Sequence, residues 1–200
     1  RLDVADELPG WFIEKARKAV EEAKSDGLLI GEVWEDASNK IAYSQRRKYL
    51  LGSELHGVMN YPFRNAVLDF LKGADAVGIG DRIMSVCENY PKPALDTLMN
   101  FLSTHDTERA ITCLAGPSME GHDRYWQSGR KLSALMYESG VRMLTMAYAI
   151  IYTLPGVPSL YYGDEIAMQG YKDPFNRAYF DWESTENRIR PVLKNLAELR

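Results

Sequence analysis

Asp3, Glu32 and Asp106 each close a short apolar run and sit in a distinctive string. The strings are Arg1-Leu2-Asp3-Val4-Ala5-Asp6-Glu7, Leu28-Leu29-Ile30-Gly31-Glu32-Val33-Trp34 and Phe101-Leu102-Ser103-Thr104-His105-Asp106. Two carboxyl groups flanking one bond are what glycoside hydrolysis requires: one protonates the leaving oxygen, the other attacks or stabilises the sugar carbon. A third carboxylate can hold the substrate. A single Asp at a strand end more often caps a helix or forms a turn, so Asp3 and Asp106 carry weight only as members of a set. Glu32 stands out by itself. A glutamate inside so apolar a run is buried at a cost unless it has a partner or a task.

These side chains need elements to bring them together. Strand-like and helix-like runs alternate along the chain, the pattern of a parallel α/β protein. The expected strands are residues 2–5, 28–34, 57–61, 101–104 and 157–162. The expected helices are 11–24, with Phe12, Ala16, Ala19, Val20 and Ala23 on one face, then 63–71, 132–154 with an interruption near Gly140, and 187–200 with Pro191 in its first turn. Residues 115–130 are polar and glycine-containing and read as a long exposed loop. Asp3 and Glu32 are 29 positions apart, about one strand-plus-helix unit. Consecutive units of a parallel barrel deliver their strand ends to the same face, where active sites lie. Asp106 ends a later strand of the same kind, so the three carboxylates are expected to converge in one cleft.

Composition narrows the ligand. The chain has 200 residues, 46% of them hydrophobic, enough for one sizeable core. The formal charge is −4 and the basic residues are scattered, which argues against a nucleic-acid partner and suits a neutral polyhydroxy ligand. Cys87 and Cys113 lack metal or redox spacing and read as free thiols. No run of about 18 apolar residues is present, so no spanning helix and no membrane partner are expected. The stretch Met143–Leu154 reads instead as buried helix. His56 and His122 are isolated, and no metal site is expected. Asp164 and Glu165 read as turn-capping and orienting groups, and Asp6 and Glu7 as charges at a helix start. Arg109 reads equally as ion-pair partner or ligand contact, and the tyrosines and methionines of 136–152 as core.

Four strings in order, RLDVADE, GEVWED, FLSTHDTER and GVPSLYYGDEIAMQGYKDPFNR, resemble consecutive signature segments of the α-amylase family of glycoside hydrolases. The resemblance spans the whole chain, and Met59-Asn60-Tyr61-Pro62-Phe63 is most similar to the neopullulanase and cyclomaltodextrinase subgroup. It implies roles by position. Asp3 matches the nucleophile, Glu32 the general acid and base, and Asp106 the carboxylate that binds sugar hydroxyls. Arg1 matches the arginine beside the nucleophile, whose positive charge complements the carboxylate. His105 matches a histidine that contacts the central sugar, Asp173 and Arg177 a pair that grips the next glucose, and Trp34 a ring for the sugar on the leaving side. These roles ask for a proton on Glu32 and a charge on Asp3. Apolar Ile30, Val33 and Trp34 suit the first, and Arg1 suits the second. A retaining mechanism would place the two carboxyl groups about 5–5.5 Å apart. Glu35 departs from the histidine common in the subgroup, which leaves leaving-side specificity open.

The implied fold is α/β: a partial (β/α)8 TIM barrel over residues 1–200, with about strands four to eight and their helices. The first three strands, an insertion domain and a C-terminal β-sandwich would lie outside it, and the final barrel helix is expected to be cut at Arg200. No initiator Met and no leader precede Arg1, so the chain reads as part of a longer protein. The implied activity is cleavage of α-1,4 and, in some members, α-1,6 bonds of maltooligosaccharides, cyclodextrins or pullulan. Alternatives are a non-catalytic half-barrel that associates with itself through exposed strand edges, or a transglycosylase or isomaltase-like member. No cofactor is implied for this chain, with room for calcium in a longer parent, and a cytoplasmic location is expected.

Overall fold

A computed structural model describes residues 1–200. In chain order the elements are α1 (Gly10–Ala23), β1 (Ile30–Gly31), β2 (Ile41–Ala42), β3 (Gln45–Arg46), β4 (Gly57–Val58), α2 (Tyr61–Leu71), α3 (Ala76–Asn89), α4 (Lys92–Asp96), β5 (Met99–Asn100), α5 (Ala110–Ala115), α6 (Arg124–Gly129), α7 (Ala134–Thr153), β6 (Val157–Pro158) and α8 (Ile189–Leu199). They form two units. One holds Arg1–Ala66, Asp75–Asn100 and Pro155–Ser159; the other holds Val67–Ala74, Phe101–Leu154 and Leu160–Arg200.

The first unit is organised by parallel backbone pairing. Leu2 bridges Gly31, β1 pairs with β4, Met59 bridges Met99, and β5 pairs with β6, all parallel. Five segments therefore lie side by side in sequence order. Each is shorter than its apolar run suggests, and the fourth lies earlier than expected. Pairing involves Met99–Asn100, and Phe101–Thr104 is not a strand. The Asn100 side chain accounts for the position, since it accepts from Asn60 Nδ2 at 2.8 Å and donates to the Pro155 carbonyl at 2.7 Å. A buried amide with both ends satisfied fixes this register strongly. Gly57 permits the close approach there, because a Cβ would stand 2.6 Å from the Thr97 carbonyl oxygen.

Helix α1 begins after Pro9 and turns a different face inward from the one expected. Ile13 is fully buried, while Phe12, Ala19 and Ala23 are exposed. Helix α3 had no counterpart in the sequence reading, because Gly78 and Gly80 dilute its helical signal. Asp75 starts it by accepting from the Gly78 N–H at 2.8 Å.

In the second unit α7 lies against α5 over a core that includes Leu102, Ile111, Leu144, Tyr148, Ile151 and Ile189. Helix α7 runs unbroken through Gly140, against expectation. A Cβ at Gly140 would lie 2.7 Å from Ile111 Cγ1 and 3.0 Å from Ala115 Cβ, so this glycine serves close packing between helices. The expected loop 115–130 contains α6, capped by Asp123 accepting from the Trp126 N–H at 2.8 Å. Pro191 does fall in the first turn of α8. No helix is long and apolar enough to cross a membrane.

Two stability outcomes follow from this packing. Gly140→Leu should destabilise the fold by about 2 kcal/mol or more, read by urea unfolding, because the core has no room for the added volume. Glu54 is buried with Oε2 lacking a hydrogen-bond partner, and burial pushes its carboxyl pKa up. A raised value in the folded state means that stability is fully present below the unfolded carboxyl value and is lost as pH rises through the folded one. Glu54→Gln should remove that loss, so its melting temperature should exceed the parent's at pH 8 and approach it near pH 4.

Candidate active site

The first cluster follows from backbone register. The Leu2 N–H donates to the Ile30 carbonyl at 2.8 Å, the Glu32 N–H to the Leu2 carbonyl at 3.0 Å, and the Ala5 N–H to the Glu32 carbonyl at 3.1 Å. Neighbouring parallel segments thus end together, and Asp3 and Glu32 emerge at adjacent strand ends. Arg1 joins them. Its Nη2 lies 2.6 Å from Asp3 Oδ1 and its Nη1 2.9 Å from Glu32 Oε2. One guanidinium therefore holds both carboxylates, where the sequence assigned it to Asp3 alone.

Glu32 is 3% exposed, as its apolar run predicts. Apolar surroundings are only part of its setting, however. Oε2 also accepts from the Val4 N–H at 3.0 Å, and the Tyr61 hydroxyl stands 3.5 Å from Oε1. The Val4 amide reaches Glu32 from a left-handed backbone (φ 41°). Trp34 stacks on Tyr61 with ring centres 4.4 Å apart and planes at 13°, and 47% of Trp34 remains exposed. Asp3 is largely exposed.

The second cluster belongs to the second unit. His105 Nε2 lies 2.9 Å from Asp106 Oδ2, and Arg177 Nη2 lies 3.4 Å from Asp106 Oδ1. Arg177 Nε lies 2.6 Å from Asp173 Oδ1 and 3.1 Å from the His105 carbonyl oxygen. Four of the five residues expected to contact sugar, all but Trp34, are brought together here around one guanidinium.

Sequence reasoning missed what supports this loop. Asn176 is fully buried, and its Nδ2 donates to the carbonyls of Thr104 at 3.1 Å, His105 at 2.8 Å and Thr107 at 2.7 Å. Arg109 proves to be an ion-pair residue. It is fully buried, donates through Nε to the Asn176 carbonyl at 2.9 Å and through Nη1 to the Tyr162 carbonyl, and lies 3.4 Å from Asp164 Oδ1. Burial pushes the Asp164 carboxyl pKa up, opposed by hydrogen bonds from Tyr148 and Ser103 and by the charge of Arg109. Glu165 accepts from the Gly163 N–H at 2.7 Å, the capping role expected of it. A polar Asn between a proline-aromatic step and Arg177 was the one available sign of Asn176. His56 is occupied by the Leu29 N–H at 2.9 Å and by Glu21 at 3.2 Å, and His122 stacks on Trp126.

A profile of the family described as "Alpha amylase, catalytic domain" matches residues 10–197. The chain belongs to the alpha-amylase family. Among its relatives, the amylopullulanase of Thermoanaerobacter thermohydrosulfuricus is 34% identical over 212 residues, covering 100% of this chain and 13% of that protein. A cyclomaltodextrinase of a Bacillus species is 32% identical, covering 94% of this chain and 28% of the relative. Among solved structures, the type III pullulan hydrolase from Thermococcus kodakarensis superposes with a TM-score of 0.79 at 26% identity, covering 98% of this chain and 32% of that one. This alpha-amylase-family chain thus spans less than a third of the length of the curated relatives it matches. Membership implies the TIM-barrel class for its fold.

Asn176→Ala would strip the buried carbonyls of Thr104 and Thr107 of this donor and leave the His105 carbonyl to Arg177 alone. We expect a loss of about 2–4 kcal/mol by urea unfolding, with Asn176→Asp also destabilising because a carboxylate cannot donate.

Proposed function

We propose that the chain carries the catalytic centre of a retaining α-glucan hydrolase. The observation that carries this reading is the Arg1 guanidinium shared by Asp3 and Glu32, which keeps two carboxyl groups side by side at adjacent strand ends. Asp3 attacks the anomeric carbon as the glycosidic bond breaks, and Glu32 gives its proton to the departing oxygen. Glu32 then takes a proton from water, which opens the glycosyl ester and regenerates Asp3. Oε2 of Glu32 is already engaged by Arg1 and the Val4 amide, so Oε1 is the oxygen suited to carry the mobile proton.

By the family resemblance, within the second unit Asp106 and His105 are assigned to sugar hydroxyls and Asp173 and Arg177 to those of a neighbouring glucose; within the first unit the exposed face of Trp34 is assigned to the leaving-side ring. The names of the relatives point to cyclomaltodextrins and pullulan, and we include linear maltooligosaccharides in the substrate class. The five parallel segments correspond, in this reading, to strands four to eight of an eight-stranded barrel.

The test is reducing-sugar release from maltooligosaccharides and β-cyclodextrin. Asp3→Ala and Glu32→Gln should each lower kcat by about 10³-fold or more. The first product, followed by proton NMR before mutarotation, should be the α-anomer; a β-anomer would reject retention. A product profile from maltotriose separates hydrolysis from transfer to a second sugar.

A further inference from the structure

Three of the four non-glycine residues with left-handed backbone belong to one small assembly. Val4 follows Asp3 directly (φ 41°), and Tyr43 and Ser44 (φ 52° and 59°) form the two-residue turn of the β2–β3 hairpin. A β-branched residue in that region is strained, and a hairpin turn of this kind normally uses Asn-Gly. Such strain persists only where the surroundings over-determine it.

Here the surroundings are residues 40–49, which grip the turn Ala5–Glu7 from several directions. The Tyr49 hydroxyl donates to Asp6 Oδ1 at 2.6 Å, and Lys40 Nζ lies 3.2 Å from Asp6 Oδ2. Lys40 also pairs with Glu35, tying the residues after Glu32 to the turn after Asp3. The Tyr43 hydroxyl donates to Glu7, and Arg47 Nη2 donates to the Ala5 carbonyl at 3.2 Å and to the Leu8 carbonyl. Tyr49 is fully buried beneath Arg47, whose guanidinium lies 4.9 Å from the ring centre.

We propose that residues 40–49 are a positioning strap that holds Val4 in its left-handed conformation, so that the Val4 N–H meets Glu32 and the Asp3–Arg1–Glu32 arrangement keeps its geometry. The catalytic consequence rests on the assignment of Asp3 and Glu32 given above. The strap touches no reacting atom. It acts through the turn, and Lys40, Tyr43, Arg47 and Tyr49 are its positioning residues.

The experiment uses Tyr49→Phe and the double variant Tyr43→Phe/Tyr49→Phe in the full chain, each of which removes hydroxyls and keeps the rings. Two readouts are taken: steady-state kinetics on β-cyclodextrin, and hydrogen exchange of the Val4 amide by NMR with the Leu144 amide as reference. The expected result is a fall in kcat of about tenfold or more with KM within about twofold. Exchange at Val4 should quicken by about tenfold while Leu144 is unchanged. Val4→Gly, which adopts positive φ without strain, should raise the melting temperature and shrink the effect of Tyr49→Phe on kcat; an undiminished effect of Tyr49→Phe in the Val4→Gly background would count against the strap. Unchanged exchange at Val4 together with unchanged kcat in the folded variants would overturn the strap. Should the parent protein release no sugar, the hydrolase reading falls, and Val4 exchange alone decides: faster exchange supports the strap, unchanged exchange rejects it.

Discussion

The parallel pairing of Leu2 against Ile30–Glu32 is the constraint on which the first cluster depends. Both backbone groups of Leu2 are engaged, and the ladder continues through Ala5. Buried peptide groups must be paired, and slipping the pairing by one residue would turn every side chain to the opposite face. The proximity of Asp3 and Glu32 is therefore a consequence of main-chain hydrogen bonding, and Arg1 can reach both because the register has placed them side by side. The same economy runs through the unit. Asn60 and Asn100, on the third and fourth segments, meet through their side-chain amides and hold that pair in step.

Three buried carboxyl groups receive three different treatments. Asp164 is answered from both sides by the Tyr148 hydroxyl and the Arg109 charge, and it serves the packing of the second unit. Glu32 has one oxygen saturated by Arg1 and Val4 and a second only distantly approached by Tyr61. Glu54 has an oxygen with no partner, and its burial favours the neutral form. Burial raises the carboxyl pKa of both Asp164 and Glu54, and only Asp164 has hydrogen-bond partners that oppose it.

Rigid support for the His105–Asp106 loop and its Arg177 partner comes from less conspicuous residues. Asn176 secures the carbonyls of Thr104, His105 and Thr107 on either side of Asp106, and Arg109 secures Asn176 in turn. A loop carrying binding residues is ordinarily mobile, because loops bury little apolar surface. Here a buried amide replaces the missing core, so Asp106, Asp173 and Arg177 are presented in a defined arrangement. In the first unit the left-handed Val4 and the hairpin turn perform the comparable task at the cost of backbone strain.

Much was legible in the sequence. The alternation of apolar runs with amphipathic ones indicated a parallel α/β chain, and a glutamate within an apolar run marked Glu32 as buried. The family strings singled out Asp3, Asp106, His105, Asp173 and Arg177, and local periodicity located α1, α7 and α8 to within a few residues. Other features depended on partners far away in the chain. Gly140 looked like a helix breaker until Ile111 and Ala115 were seen packed against it. Glycines hid α3, and no local pattern could say which face of α1 would be covered. The sharing of Arg1 between two carboxylates, the grip of Asn176 on three carbonyls and the bonds from Tyr49 and Arg47 to the Ala5–Glu7 turn and Leu8 all join positions tens of residues apart. Residue types set which chemistry is available and how the backbone is disposed locally. Which groups meet, and which buried charge finds a partner, was decided only when the folded chain closed those long loops.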